Sequence, residues 1–146
     1  MEVRKVSGSH EMNDPGLITH ISQNGLPDTR ARLISALSHR GMDIIARVDH
    51  SDAAERVGMF LNPTEVLIFG NPRVGTPLMS AEQTIGLDLP LKILIWQNSE
   101  GVIFLTYNDP KWLSKRHGLA IENDSIASAM AQALEAIVVE AASPPA

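Results

Sequence analysis

A chain of 146 residues is one domain's worth and long enough to bury a substantial core. A net charge of -5 argues against a nucleic-acid partner, because phosphate binding needs clustered Lys and Arg, and the twelve basic residues are scattered and outnumbered by seventeen acidic ones. Zero cysteines exclude a disulfide framework, a thiolate nucleophile and any Cys-ligated zinc or iron–sulfur site.

The 44% hydrophobic and 20% charged fractions are those of an ordinary soluble globular protein. No apolar run approaches the roughly 18–20 residues of a membrane span, so no membrane association is expected. Residues 1–16 are mostly polar and lack the apolar middle of a signal peptide, so they read as a disordered N-terminal segment without an export signal. A cytoplasmic protein is expected, with one domain over 17–140 and a tail over 141–146.

Leu17–Ser22 is a short β-branched run, read as a first strand. Asn24-Gly25 turns the chain, Pro27 suits a first helical turn, and Leu33, Ile34 and Leu37 fall at helical spacing before Gly41. The spacing predicts a helix over 27–40. Met42–Asp49 alternates with period two, which predicts a half-buried strand. Ser51 can cap a short helix over 52–57, and Asn62-Pro63-Thr64 turns into an apolar strand at Val66–Phe69.

Gly70–Thr76 then reads as a loop, with Thr76-Pro77 as cap and first residue of a helix striped by Leu78, Met79, Ala81 and Ile85. Leu91–Trp96 and Val102–Tyr107 flank Gln97–Gly101 as a hairpin. Asp109-Pro110 opens a short helix toward His117, and a last helix starts near Asn123 or Asp124, striped by Ile126, Met130, Leu134, Ile137 and Val138. The order β-α-β-(α)-β-α-β-β-α-α, with adjacent strands, predicts a single α+β domain with helices on one face of its sheet. Strands near 66–69, 93–96 and 102–105 are apolar on both sides, so the other face needs a cover, and a dimer packed through the sheet is the expected one.

An ordered series of motifs carries a resemblance. Asp49-His50-Ser51 with Ala54, Phe69–Met79, Leu87-Asp88-Leu89-Pro90-Leu91-Lys92, Tyr107-Asn108-Asp109-Pro110 and Arg116-His117-Gly118 resemble the domain of unknown function 302 (DUF302) family over roughly residues 17–139. The resemblance implies a TATA-binding-protein-like fold of β-α-β(4)-α type, a curved, mainly antiparallel sheet backed by helices, in small bacterial proteins that can form homodimers. It implies no known activity.

Candidate chemistry centres on Gly70–Thr76. With Thr76 as cap, the amides of Leu78 and Met79 would lie at a positive helix end. Gly75 would admit a ligand to the backbone, Asn71 and Arg73 would add polar and cationic groups, and an anion would be favoured. The competing account is a tight turn in which Thr76 only caps. His50, just after a strand and beside Asp49, is the histidine singled out, because no His-x-x-x-His spacing supports a metal site and no cofactor is expected. Lys92 within an apolar strand can serve as a base or snorkel to solvent. Tyr107 and Asp109 can face a cleft or serve as strand-end aromatic and helix start.

These residues support three readings. The first is a small homodimeric ligand-binding or regulatory module, taking a modest anionic or amphipathic ligand between the Gly70–Thr76 loop and the sheet. The second is a hydrolase or lyase using His50 with Asp49, or Lys92, in that cleft. The third is a dimerisation domain without a ligand. The absence of a nucleophile–base–orienter constellation in the sequence favours the first.

Overall fold

The computed structural model describes residues 15–145, and the N-terminal segment singled out above lies outside these except for its last two residues. Five strands form one antiparallel sheet: β1 (Leu17–Ile21), β2 (Asp43–Asp49), β3 (Thr64–Gly70), β4 (Leu91–Gln97) and β5 (Ile103–Asn108). Their spatial order is β1-β5-β4-β3-β2. Five helices complete an α+β domain: α1 (Leu26–His39), α2 (His50–Arg56), α3 (Pro72–Ala81), α4 (Pro110–Arg116) and α5 (Asp124–Ala142).

The element order is the one the sequence predicts. Pro27 sits in the first turn of α1, and Gly41 follows its end at φ 70°, a left-handed backbone that glycine adopts without strain. Helix α1 carries the chain from one sheet edge, β1, to the other, β2. The β4–β5 hairpin is closed by Asn98, whose side-chain oxygen accepts from the amides of Glu100 and Val102 at 3.0 Å each.

One face of the sheet is sealed. Leu67 and Phe69, Ile93 and Ile95, and Ile103 and Leu105 lie on it with Leu33 and Leu37 of α1 and Met130, Leu134, Ile137 and Val138 of α5, all in one buried cluster. Each such side chain contributes about 1.5–3 kcal/mol by leaving water. The other face bears Val66, Ile68, Leu94 and Trp96, all only half-buried, and Trp96 lies stacked on Phe104 with ring centroids 4.4 Å apart.

Three sequence expectations change. Strand β2 is exposed on both faces rather than half-buried, because it is the sheet edge: Ile44, Ile45 and Val48 are 40%, 60% and 39% exposed. Helix α2 starts at His50 and is capped by Asp49, whose side chain accepts from the Asp52 amide at 3.0 Å, not by Ser51. Helix α3 starts at Pro72 under an Asn71 cap, so Thr76-Pro77 lies inside it. The run Ile121–Ala142 contains an 18-residue window of mean hydropathy 1.3, long and apolar enough for a membrane span by length and composition alone. In the fold, α5 turns that apolar stripe onto α1 and the sheet.

Candidate functional site

Antiparallel pairing brings the start of β2, the end of β3 and the start of β4 to one end of the sheet, where Asp43 pairs with Gly70 and Phe69 with Leu91. Helix α3 leaves from that end, and a 3-10 turn at Gln83–Leu87 brings the chain back to β4 through a cis Leu89–Pro90 bond. Between α3 and the strand ends lies a cavity of about 380 Å³. Its wall is apolar, built from Met42, Ile45, Val74, Met79, Leu89 and Met130, with Asp43, Asn71 and Thr76 as its polar members. Gly75 lies along it, and a Cβ there would sit 3.6 Å from Leu89 and 3.7 Å from Met79, ordinary contact distances.

Part of the sequence-derived site converges here. Asn71, Gly75 and Thr76 line the cavity, whereas Arg73, exposed on α3, lines a neighbouring depression with Pro77, Ser125, Ile126 and Ala129. The geometry assumed for an anion differs from the one found. The first-turn amides of α3 belong to Arg73, Val74 and Gly75, not to Leu78 and Met79. The Arg73 amide donates to the Asn71 side chain at 2.9 Å, and those of Val74 and Gly75 donate to its carbonyl at 2.9 and 3.1 Å.

The other candidates lie elsewhere or are occupied. The Lys92 ammonium donates to the Pro90 carbonyl at 3.0 Å, and Asp109 caps α4 by accepting from the Lys111 amide at 3.0 Å. Tyr107 is buried on the helix-covered face, stacked 6.4 Å from His20, and burial pushes its phenol well above the ordinary range. His50 is exposed at the far end of β2, roughly 20 Å along the strand from the cavity. Beside it, the Ser51 hydroxyl and the Asp52 amide hold the Asp49 carboxyl below its usual range.

Sequence reasoning missed a polar chain at the same end of the molecule. His117 Nε2 lies 2.5 Å from Asp88, and its Nδ1 lies 2.9 Å from the Thr84 hydroxyl, which lies 3.2 Å from Glu82. Arg116 donates to both Asp88 oxygens, at 3.1 and 2.9 Å. This carboxylate–imidazole–hydroxyl series pins the 3-10 turn to the end of α4. Among the described residues, no three of His, Asp and Glu converge as a metal ion would need.

Known proteins share this architecture. The chain matches the domain of unknown function DUF302 over residues 18–137. A crystal structure of the uncharacterized conserved protein DUF302 from Bacillus stearothermophilus superposes with a TM-score of 0.80 at 19% identity, covering 88% of this chain and 99% of that one. The fluoride-specific ion channel FluC 1 of Brucella suis biovar 1 is 44% identical over 117 residues, which are 80% of this chain and 46% of the relative. FluC 2 of Brucella melitensis biotype 1 is also 44% identical, over 43% of its length. The chain thus spans less than half of the curated relatives it matches. By its sequence match and its fold, the chain belongs to the DUF302 family.

Proposed function

We propose that the chain is a homodimeric, non-catalytic module that binds a small amphipathic ligand, its apolar part held between α3 and the sheet. The observation that carries this reading is the cavity itself: about 380 Å³ of space walled by aliphatic and methionine side chains, with a few polar groups at its margin. Ligand sites are commonly concave, apolar and of this size. Met42, Met79 and Met130 add three flexible, polarisable walls that can adapt to a guest. A neutral fluorescent probe, N-phenyl-1-naphthylamine, tests it. Saturable binding is expected, weakened at least tenfold in Val74→Trp, which fills the cavity, and in Ile45→Arg, which charges an already exposed wall position. Equal binding by wild type and both variants would remove the proposal.

The dimer rests on a separate observation. By the strand register, the uncovered face presents Ile21, Thr19, Thr106, Trp96, Leu94, Val66, Ile68 and Val48, with Phe104 buried against Trp96, and its charged strand residues are Lys92 and, opposite Gly70 at one corner, Asp43. A chain of net charge -5 can therefore meet its own copy there with little acid-on-acid repulsion, since Asp43 is the one acid among those strand positions and stands at a corner. Light scattering at micromolar concentration should give twice the monomer mass, falling to monomer in Leu94→Asp. A wild-type monomer would refute it.

The relatives' name brings fluoride conduction into view. On this reading the chain corresponds to an attached regulatory stretch, and conduction belongs to the unmatched part of those proteins. The support is that α5 spends its apolar stripe on α1 and the sheet. A catalytic reading has one observation in its favour, the Asp88–His117–Thr84 series rather than His50 or Lys92. Turnover of p-nitrophenyl acetate that disappears in both His117→Gln and Thr84→Val would make that reading the better one; none is expected.

A further inference from the structure

The cavity's own polar groups say which head group an amphiphile would carry. Of the residues lining it, Asp43 alone is ionisable, and its carboxylate makes no ion pair or hydrogen bond among the described residues. Other carboxylates at the sheet are already answered: Glu65 by Arg30 and Arg47, Asp49 by Ser51 and Arg47, and Asp88 by Arg116 and His117. The cations nearby are turned away or engaged. Arg73 lines the neighbouring depression, separated from the cavity by Met42, Val74 and Met130, which border both. Lys92 holds the Pro90 carbonyl. At this cavity no first-turn amide of α3 is left for an anion, since Asn71 accepts from those of Arg73, Val74 and Gly75.

The geometry points to a cationic amphiphile, an alkyl ammonium whose chain lies among Met42, Val74, Met79 and Leu89 and whose head sits beside Asp43. This rests on the ligand-binding reading above and reverses the sign of the head group expected from the sequence. Asp43 is exposed at the rim, so its attraction for the head is that of a surface ion pair, and the chain supplies most of the affinity.

Three ligands of equal chain length separate the possibilities: decylammonium, decanol and decanoate. Each competes against the neutral probe below its micelle concentration, with wild type, Asp43→Asn and Asp43→Ser. Decylammonium is expected to bind about two- to fivefold tighter than decanol, and decanoate weaker than either. That preference should vanish in both Asp43 variants and in high salt, with decanol unchanged throughout. Decanoate binding as tightly as decylammonium would overturn the inference, as would a preference for ammonium that survives in both variants. Failure of all three to displace the probe would instead overturn the ligand-binding reading beneath it.

Discussion

The two faces of the sheet are built from nearly the same kinds of residue and have different fates. In β3, Leu67 and Phe69 are at most 1% exposed, whereas Val66 and Ile68, interleaved with them, stay half-exposed. The helix-covered face also admits polar groups, on contrasting terms. Glu65 there is 3% exposed but bonded by two arginines, while His20 is fully buried with neither ring nitrogen bonded. Apolar composition does not decide burial here. What decides it is whether α1 and α5 lie over the strand, and the uncovered face leaves its apolar side chains partly in water.

The largest effect should come from cutting one residue on each face. Phe69→Ala removes a buried aromatic from the sealed cluster and should cost about 3–5 kcal/mol, the usual range for such a deletion. Ile68→Ala, one residue away on the open face, should cost under about 2 kcal/mol at low protein concentration, because its side chain is already partly in water. Its cost should grow with concentration if copies pack there. Urea unfolding at two protein concentrations measures both. Equal costs in dilute solution would erase the distinction between the faces.

Next comes the paired polar exception. Arg30 Nε lies 2.6 Å and Arg47 Nη2 2.5 Å from the Glu65 carboxylate, and the Glu65 bond raises the Arg47 guanidinium above its ordinary range. Glu65→Gln leaves two guanidinium groups facing a neutral amide. Loss of a wholly buried partner costs several kcal/mol, but the arginine side chains are 27% and 45% exposed, and water shields what the amide cannot. A loss of about 1–3 kcal/mol is expected by urea denaturation. A variant as stable as wild type would show the network to be ornamental.

Much of this was written locally in the chain. Pro27 and Gly41 bracket α1, and the α5 stripe at Met130, Leu134, Ile137 and Val138 is the one found buried. Asn71-Pro72 and Thr76-Pro77 both spell a cap followed by a proline, and only the fold chooses the first; the later proline is tolerated inside α3. Alternation in Asp43–Asp49 shows a strand but not that it is the edge, which depends on the order of all five. Asp88 and His117 stand 29 residues apart, and nothing in sequence joins them until α4 returns beside the 3-10 turn. The cavity was hidden for a similar reason. Met42, Met79 and Met130 each read as core stripe on separate elements, and their shared gap exists only after packing.

The smallest effect concerns the unpaired exception, His20. Burial depresses its pKa below the ordinary 6.5, partly offset by Glu135. The folded chain therefore holds a neutral imidazole at pH values where the unfolded chain already takes up a proton. Its contribution is complete above about pH 6.5 and falls as the pH drops below the unfolded value, by at most about 1.4 kcal/mol per pH unit. Urea unfolding of wild type and His20→Leu from pH 8 to pH 5 should give curves that run parallel at the alkaline end and separate below pH 6.5, with wild type losing more. At pH 8 the leucine variant should be at least as stable, since it removes two buried nitrogens that bond nothing and still fills space beside Tyr107. Curves that stay parallel to pH 5 would mean that the sealed face opens to a protonated histidine at no cost, and the contrast between the two faces would lose its sharpest mark.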